Sequence, residues 1–421
     1  IDSANLGQTG WGLVFPAVDK GTKAARHQQA ISDALGPLRA LRRSQAGHLY
    51  KEYRGDHAFR RGETKQQFLA KHRGGSGAVN PEAVPYYLLL VGSPEEISFD
   101  IQIEIDVQYA VGRIHFDTVE EYAHYARSVV MAESGAFVLP REVAFVGVHN
   151  SGDMATQLSR FNLVGPLASW AEVNLPNWKV SRYFDENACK ATVTELLGGS
   201  RTPALLFSAS HGMPFGKGHP QQRQHQGALL LQDWRGPTSG PPDQSMYFSG
   251  DDVSIDKPPA GLISFHFACY GAGTPLHDEF TLPGETRVPI AEEPFVAALP
   301  KKLLGHSRGG ALATIGHIDR TWDDSFIALM GIKPEFAPLL NVFESTLRSL
   351  MNGKRVGAAL EYFNQRHAEL GNQLCPILAN EFRFNRPTPH VLIEMWRAYR
   401  DARGYAIIGD PAVRISVEGS S

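Results

Sequence analysis

The sequence predicts an α/β fold in which helices cover both faces of a mostly parallel β-sheet. Short apolar runs alternate with amphipathic segments along most of the chain, as they do in successive βαβ units. Several runs, such as residues 85–92, are apolar on both faces, which is typical of central parallel strands. The chain has 421 residues, 43% of them hydrophobic and 20% charged, which is enough for two or three globular units.

Composition and charge exclude several classes of protein. The net charge of −3 gives no general electrostatic case for binding to nucleic acid or to an anionic membrane. No stretch of the sequence approaches the ~18 consecutive apolar residues that a membrane span needs. The three cysteines are too few for a disulfide framework, and an unpaired reactive thiol is best kept in a reducing compartment. We therefore expect a cytoplasmic protein without a membrane span.

In the first part of the chain, the sequence patterns that predict helices and strands are weaker than in the rest. A polar, basic region covers residues 20–73, and Gly36-Pro37 must interrupt its helical pattern because proline lacks an amide proton. A helix is expected after Thr118, since Thr118 and Glu121 have the spacing of a capping box. Strands are predicted at residues 85–92 and 111–114.

From residue 141 onward, strands and helices alternate more regularly. Strands are predicted at residues 143–148, 178–183, 204–208, 262–267, 311–315 and 405–408. Helices are predicted at residues 156–173, 187–197, 292–304, 335–351, 357–370 and 389–400. In a sheet of this kind, a binding site is expected outside the carboxyl ends of the strands.

Two of the predicted strands end on residues with catalytic potential. One strand is followed by His211 and Gly212, and the next is followed by Cys269. Neighbouring parallel strands would deliver these residues to the same edge of the sheet. Long segments without a regular pattern, residues 213–242 and 271–294, begin directly after them, and loops of this length are usually functional or disordered.

Histidine and cysteine in this arrangement can act as a base and a nucleophile. A cysteine sulfur attacks carbonyl carbons as the thiolate, and a free cysteine with a pKa of about 8.5 is mostly protonated at neutral pH. His211 within reach of Cys269 can take that proton and later give it to the leaving amine. The amides of Gly212 and Cys269 are the oxyanion-hole candidates. The pair predicts a cysteine hydrolase that needs no metal and no organic cofactor.

These residues resemble a known family of cysteine peptidases. His-Gly after one apolar strand and Ala-Cys after the next are similar to the caspase-like clan, and especially to its gingipain and CHAT-domain members. Three further elements resemble gingipain-like chains: Val111-Gly-Arg-Ile114 before a helix, the strand and polar turn that lead to Trp322, and the ending Gly409-Asp410-Pro411 between two strands.

The resemblance implies a caspase-like, mostly parallel sheet sandwiched by helices, with a non-catalytic α/β subdomain before it. Residues 1–80 would form a partly helical N-terminal extension. Residues 81–140 would form the non-catalytic subdomain, which can include part of the extension. Residues 141–421 would form the catalytic domain.

The resemblance also implies an activity and its partners. It implies an endopeptidase that hydrolyses protein substrates with a His211–Cys269 dyad, in settings such as bacterial defence or programmed cell death. Members of the clan are commonly activated by cleavage or by an effector, so an activating protease or a regulatory effector is an expected partner. A processing site is expected in the irregular segment 271–294, which includes Arg287.

Trp322 and several acidic residues are candidates to bind the substrate. Trp322 matches the tryptophan that lines the P1 pocket in gingipain-like enzymes. Asp153 lies in the loop with which the clan reads the P1 side chain, and Asp319, with Asp323 and Asp324, offers the same carboxylate chemistry near Trp322. These carboxylates favour a cationic side chain, so a preference for Arg or Lys at P1 is our hypothesis.

Other interpretations of the same residues stay open. The chain can be an inactive scaffold that binds a partner protein through the same groove, or a hydrolase or acyltransferase that acts on a small molecule. A cysteine in an apolar strand is often buried and inert, and Trp322 can equally be a core aromatic residue. A zinc site is a further alternative, although no CxxC or HxxxH pair is present, and its ligands would come from His211, His219, His225, His266 and Cys269.

Overall fold

The computed structural model describes residues 2–330, 335–384 and 390–417 of the chain. In chain order, the strands are β1 (Trp11–Val14), β2 (Tyr50–Tyr53), β3 (Tyr87–Val91), β4 (Ala110–Ile114), β5 (Glu142–Gly147), β6 (Lys179–Phe184), β7 (Leu205–Ala209), β8 (Leu229–Leu230), β9 (Tyr247–Phe248), β10 (Ile263–Phe267), β11 (Gly273–Thr274), β12 (Phe295–Val296), β13 (Ala313–His317), β14 (Ile327–Met330), β15 (Glu335–Pro338) and β16 (Tyr405–Gly409).

The α-helices are α1 (Leu6–Thr9), α2 (Lys23–Ala34), α3 (Gly36–Ala46), α4 (Lys65–Lys71), α5 (Phe99–Asp106), α6 (Val119–Glu133), α7 (Met154–Ser159), α8 (Gly165–Asn174), α9 (Lys190–Leu196), α10 (Gln222–His225), α11 (Ala298–Leu304), α12 (Asn341–Met351), α13 (Val356–Ala359), α14 (Glu361–Phe384) and α15 (His390–Arg403). Within the described ranges, no helix has the length and apolar character that crossing a membrane requires.

Ten of the strands form one central sheet. Their order is β2-β1-β3-β4-β16-β13-β10-β7-β5-β6. Every neighbouring pair in this sheet is parallel except β13 and β16, which are antiparallel. The predicted α/β fold with a mostly parallel sheet is therefore confirmed.

Apolar side chains are buried on both faces of the sheet. In β3, Tyr87, Leu89 and Val91 belong to the main core, whereas Leu88 and Leu90 belong to a second core on the opposite face. This alternation follows from the two-residue repeat of a strand, and each face needs its own cover of helices. The continuous apolar run at residues 85–92 is therefore a central strand of the sheet, as predicted.

One predicted helix begins later than expected. The helix predicted at residues 335–351 begins at Asn341 as α12, because β15 pairs with β14 as an antiparallel strand. Pro338, at the end of β15, cannot donate a backbone hydrogen bond and is unfavourable inside a helix. The first part of this prediction was therefore wrong.

Two other helix predictions need smaller corrections. The helix predicted at 292–304 begins at Ala298, since β12 precedes it and pairs with β11, and Pro294 disfavours a helical conformation in the residue before it. The helix predicted at 156–173 is interrupted by a π-helical segment, Arg160–Val164, just before Pro166.

The remaining predicted strands and helices agree with the structure to within a few residues at their starts. Thr118 and Glu121 form the expected capping box at the start of α6. The helix predicted at 357–370 is observed as α13 followed by the longer α14, and residue 389, with which the last helix was predicted to begin, lies outside the described residues.

Two strands of the central sheet were not predicted. Both lie within the first 80 residues: β1 pairs with β3, and β2 pairs with β1 at the edge of the sheet. The sequence of β2 is Tyr-Lys-Glu-Tyr, and three of its four residues are partly exposed. An edge strand tolerates such a polar sequence, which gives no apolar run.

The two halves of the sheet join where β4 meets β16. A Cβ atom at Gly112 would lie 2.1 Å from the carbonyl oxygen of Gly409, so only glycine allows the two strands to approach. Asp410 accepts hydrogen bonds from Nε1 of Trp11 at 2.9 Å and from Nε of Arg42 at 2.8 Å. The Gly-Asp-Pro ending thus ties β1 and α3 to the last strand of the sheet.

Candidate active site

The carboxyl ends of β5, β7 and β10 lie at one edge of the sheet. The chain runs from β5 to β6 on one side and from β7 to β10 on the other side. The connections therefore leave the space between β5 and β7 in opposite directions. In open α/β sheets, ligands bind in the crevice that forms at such a point. The loops after the three strands carry Asp153, His211 and Cys269, so the structure brings three sequence-predicted residues to one edge.

Asp153 binds the imidazole of His211. Its Oδ2 lies 2.5 Å from Nε2 of His211, and the same carboxylate accepts the amide of Ala155 and the hydroxyl of Thr156 at the start of α7. Burial acts to raise the pKa of Asp153, but the hydrogen bonds from His211, Ala155 and Thr156 outweigh it, and the pKa is lowered. The ionised carboxylate accepts the Nε2 proton, and Nδ1 of His211 remains as the acceptor.

Cys269 occupies the position in its strand that matches His211 in the neighbouring strand. Phe267 of β10 pairs with Ala209 of β7, and each candidate residue follows its strand partner at the same offset. The amide of Thr321 donates a hydrogen bond to Sγ of Cys269 at 3.4 Å. The register of β7 and β10 therefore places His211 and Cys269 side by side at the end of the sheet.

Gly212 packs its backbone directly on Cys269. A Cβ atom at Gly212 would lie 1.8 Å from the carbonyl oxygen of Cys269, which no side chain can tolerate. Gly227 makes a second close approach, because its φ is +80° and a Cβ atom there would lie 2.2 Å from the carbonyl oxygen of Tyr270. The two glycines let the loop after β7 lie against the turn that carries the cysteine.

Burial raises the pKa of the Cys269 thiol above its ordinary value. The negative charge of Asp319 acts in the same direction, while the amides of Thr321 and Gly212 act against it without reversing it. The resting thiol is therefore neutral at pH 7, and a base must remove its proton before the sulfur can act as a strong nucleophile.

Asp319 lies beneath this site and is fully buried. Its carboxylate accepts the amides of Glu279 at 2.8 Å and Arg320 at 2.7 Å, and its carbonyl oxygen accepts the amide of Tyr270 at 2.6 Å. These bonds tie the loop after Cys269 to the loop after β13. The carboxylate of Asp319 thus points into the protein rather than into an open groove.

Trp322 is partly exposed and follows Thr321, the residue whose amide contacts the sulfur of Cys269. Its ring packs edge-on against Phe280 with centroids 6.0 Å apart, and the guanidinium of Arg397 lies 5.2 Å from the ring centroid. Its indole Nε1 has no hydrogen-bond partner in the described part of the chain. Trp322 is therefore placed to form a wall beside the cysteine.

Asp401, which the sequence did not single out, holds the Trp322 loop in place. Its buried carboxylate accepts the amide of Trp322 at 2.8 Å, the hydroxyl of Thr321 at 3.1 Å and the hydroxyl of Ser325. Burial raises the pKa of Asp401. A single aspartate near the end of an amphipathic helix carries no sequence signal of this role, because its partners are distant in the chain.

The other acidic residues near Trp322 differ in their contacts. Asp324 pairs through both carboxylate oxygens with the guanidinium of Arg397, at 3.0 Å for one of them. Asp323 is partly exposed, and among the described residues its carboxylate has no hydrogen bond or ion pair. Asp323 is therefore the one of these acids whose carboxylate has no directly bonded partner among the described residues, while its charge acts on Arg397.

The remaining histidine and cysteine candidates have other surroundings. His266 is buried, its Nδ1 lies 2.7 Å from the hydroxyl of Ser208, and burial lowers its pKa to about 4. Cys189 is half-buried, Cys375 is exposed, and both are free thiols. Among the residues that the structure describes, no group of three His, Cys, Asp or Glu side chains is arranged to hold a metal ion.

Comparison with known proteins finds similarity only among solved structures, and this similarity concerns the fold. No protein-family model matches the sequence, and no curated protein is significantly similar to it. Among solved structures, the Arg-specific cysteine proteinase gingipain R (RgpB) aligns with a TM-score of 0.52 and 12% identity, over 98% of this chain and 79% of that chain. The complex of the Porphyromonas gingivalis RgpB pro- and mature domains gives the same TM-score and identity, over 97% of this chain and 80% of that chain.

A third solved structure, described only as a protease, also aligns with a TM-score of 0.52 and 12% identity, over 97% of this chain and 79% of that chain. At this identity the similarity concerns the fold alone. The architecture is the caspase-like one seen in gingipain R, as the sequence predicted, and nothing in the comparison distinguishes a CHAT-domain protease.

Proposed function

We propose that this protein is a cysteine endopeptidase of the caspase and gingipain type, with Cys269 as the nucleophile and His211 as the base. The observation that carries the proposal is the arrangement of the two residues at matching ends of paired strands, with Gly212 packed on the backbone of Cys269. A cysteine proteinase fold of the gingipain type supports it. The substrates would be proteins.

The proposed reaction begins with a neutral thiol. Nδ1 of His211 takes the proton from Sγ of Cys269 as the sulfur attacks the scissile carbonyl carbon. The oxyanion is held by the amides of Gly212 and Cys269. The C–N bond then breaks, the amine leaves with the proton from His211, and a water molecule deprotonated by His211 hydrolyses the thioester and restores the thiol.

In this scheme Asp153 is a positioning residue. Because its carboxylate holds the Nε2 proton of His211, it fixes the tautomer in which Nδ1 can act as the base. The same carboxylate caps α7, so little of it remains for reading a substrate side chain. This role differs from the P1-reading role that the sequence predicted, and the kinetic constants of Asp153→Asn distinguish the two.

A basic P1 preference is proposed to depend on Asp323. Of the acids considered near Trp322, Asp319 is buried and Asp324 is paired with an arginine, whereas Asp323 is partly exposed. A panel of fluorogenic peptides would show the best turnover with Arg or Lys at P1, and Asp323→Asn would lower kcat/KM for these peptides about tenfold or more. The best turnover with acidic or large apolar P1 residues would overturn this specificity.

The dyad is tested by substitution. Cys269→Ala and His211→Ala should each abolish peptide hydrolysis, while the matched control Cys375→Ala should keep it, because Cys375 is exposed and lies outside the site. Circular dichroism would verify that all variants fold. Residual wild-type turnover in Cys269→Ala would refute the proposal.

An inactive scaffold that binds a partner protein is the second candidate, and the raised pKa of Cys269 favours it. A peptidyl chloromethyl ketone distinguishes the two functions, because it alkylates the thiolate, and a neutral thiol such as that of Cys269 reacts quickly only when a neighbouring base removes its proton. An active enzyme would be labelled at Cys269 faster than at Cys189 or Cys375, and labelling would require His211. Labelling of Cys375 alone would favour the scaffold.

Activation by a protease or an effector is proposed to act on the irregular segment 271–294. Arg287 is the arginine of this segment; it is about half exposed and pairs with Glu279. Mass spectrometry of the wild-type protein, in comparison with Arg287→Gln, would detect cleavage at this position. Equal cleavage of both proteins would exclude Arg287 as the processing site.

A further inference from the structure

A second cleft lies outside the site described above. It has a volume of about 270 Å³ and opens between α5, the irregular segment 271–294 and the end of α15. This volume is close to the lower end of small-molecule sites, at about 300 Å³. Part of its wall is apolar, formed by Phe99, Ile103, Leu276 and Ile318. The described residues that line it include neither His211, Cys269 nor Trp322.

Three arginines converge in this cleft on Glu279. Nη2 of Arg400 and Nη1 of Arg403 lie 3.1 Å and 3.0 Å from Oε2 of Glu279, and Arg287 binds the other oxygen. Arg403 also pairs with Asp100 at 2.5 Å. Three guanidinium groups thus share two carboxylates, and Nε of Arg400 is buried without a hydrogen-bond partner. Burial and the charge of Arg403 lower the pKa of Arg400.

A fourth arginine lies behind the cleft wall. Arg113 is fully buried, and it donates hydrogen bonds to Oε1 of Gln102 at 2.8 Å and to the carbonyl oxygens of Gly92 and Ser98 at 3.0 Å and 3.2 Å. Its guanidinium lies 5.3 Å from the ring centroid of Phe99. Among the residues described, no carboxylate hydrogen-bonds to it, and the charge of Glu96 acts on it only at longer range, so Arg113 adds to the positive potential at the wall formed by Ser98 and Phe99.

We propose that this cleft binds a small amphipathic anion, a carboxylate or phosphate attached to an apolar body. The anionic group would lie among Arg287, Arg400 and Arg403, where it would satisfy the unpaired donor of Arg400 and neutralise the excess charge. The apolar body would lie against Phe99 and Leu276. The arginine fork and the apolar wall are both needed, so neither a neutral compound nor a bare anion should bind as well.

The cleft is connected to Cys269 by two short paths. On the first, Glu279 donates its amide to the carboxylate of Asp319, whose carbonyl oxygen accepts the amide of Tyr270, the neighbour of Cys269. On the second, α15 carries both Arg400 in the cleft and Asp401, which holds the loop containing Trp322. An anion that draws the arginines away from Glu279 is therefore expected to change the reactivity of the thiol. This inference does not require the proposed peptidase activity.

Binding is tested with three probes on the full chain: 4-phenylbutyrate, phenyl phosphate and the neutral 4-phenylbutan-1-ol. Calorimetry should show saturable binding of at least one anion and none of the alcohol, and a preference between the anions identifies the headgroup. Arg400→Met should raise the Kd of the anion that binds about tenfold or more, because one charged contact is lost. The control Arg308→Met, at an exposed arginine paired with Asp256, should bind as the wild type does.

Failure of both anions to bind, equal binding of the alcohol, or an unchanged Kd in Arg400→Met would overturn the site. If Arg400→Met does not fold, Arg287→Gln tests the same contact at a more exposed position. The connection to Cys269 is tested by site-resolved mass spectrometry of iodoacetamide alkylation. The bound anion should change the rate at Cys269 at least twofold and leave Cys189 unchanged, since Cys189 lines neither the cleft nor the neighbouring pocket that Arg400 and Arg403 also line. An equal rate at Cys269 with and without the anion would refute the connection.

Discussion

Cys269 shows how the surroundings of one residue set its chemistry. The thiol is partly buried, and desolvation keeps it neutral, yet the amides of Thr321 and Gly212 face the sulfur and favour the charge that develops on it. A thiol of this kind differs from a preformed thiolate because it depends on a base at the moment of attack. His211 can be that base only if its Nδ1 is unprotonated, so the tautomer matters as much as the distance.

Asp153→Asn tests the role of the carboxylate at His211. An amide can present its NH₂ group to Nε2 and place the ring proton on Nδ1, the tautomer that cannot accept the proton of Cys269. We expect kcat to fall by about two to four orders of magnitude for all peptides, with little change in KM. Steady-state kinetics with a fluorogenic peptide measures both constants.

The control for this substitution is Asp256→Asn, at an exposed aspartate paired with Arg308, which should leave both constants unchanged. A different result would support the P1-reading role instead. If Asp153→Asn raised KM for peptides with Arg or Lys at P1 and spared the others, the carboxylate would contact the substrate rather than position His211.

His266 predicts a pH dependence of stability. Burial lowers its pKa from about 6.5 to about 4, so between these values the unfolded chain binds a proton that the folded chain does not. The free energy of unfolding should therefore fall as the pH is lowered through this window, by about 1.4 kcal/mol per pH unit for one such group. His266→Gln, which can still bond to Ser208, should reduce this slope by that amount.

Urea denaturation of the wild type and the variant between pH 7 and pH 4.5 measures the two slopes. His27→Gln, at an exposed histidine on α2, is the matched control and should leave the slope unchanged. Identical slopes for the wild type and His266→Gln would show that the buried imidazole is protonated without unfolding.

Single residues were predictable from the sequence where a strand end positions them. His211, Gly212 and Cys269 could be singled out because apolar runs lead directly to them and parallel strands share an edge. The contact between Asp153 and His211 could not be derived in this way, because it depends on the path of two loops. The burial of Asp319 was missed for the same reason.

At the scale of elements, α15 organises the loop that carries Trp322. Asp401 accepts three hydrogen bonds from this loop, and Arg397 of the same helix pairs with Asp324. Removing one acceptor should loosen the wall beside the site without disturbing the contact between His211 and Asp153. The effect should therefore appear in substrate binding.

We expect Asp401→Asn to raise KM for a fluorogenic peptide about fivefold and to change kcat less than twofold, since an amide nitrogen cannot accept the hydrogen bond of Ser325. Asp33→Asn, at an exposed position of α2, serves as the control. A fall in kcat without a change in KM would show that the loop acts on the chemical step instead.

Elements were predictable where the apolar pattern is local. The central strands are such a case, because buried strands need apolar residues on both faces. The edge strand β2 is polar, and β15 forms only because β14 lies opposite it, so pairing rather than propensity decides both. Prolines gave usable signals that were missed: Pro338 and Pro294 both argue against helix at the positions where strand pairing is observed.

At the scale of the whole molecule, the ten-stranded sheet joins the N-terminal residues to the site-bearing half. The junction has a buried ionic cluster in which Arg42 pairs with Asp410 at 2.8 Å and with Glu133 at 2.9 Å. Asp410 also accepts the indole of Trp11 and the amide of Ala412. The division into an extension and two subdomains stays a prediction, and the cluster offers a way to test how independent these parts are.

Arg42→Met keeps the volume of the side chain but leaves Asp410 and Glu133 buried without their shared cation. Loss of one partner of a buried ion pair costs about 3–5 kcal/mol, so we expect the free energy of unfolding in urea to fall by that amount. The exposed pair of Arg235 and Glu186 provides the control, and Arg235→Met should cost less than about 1 kcal/mol. Because β4 and β16 pair within one sheet, both variants should unfold in a single transition that fluorescence and circular dichroism report at the same urea concentration. Two separated transitions in Arg42→Met would show instead that the cluster is what couples the N-terminal strands to the half of the sheet that carries Cys269.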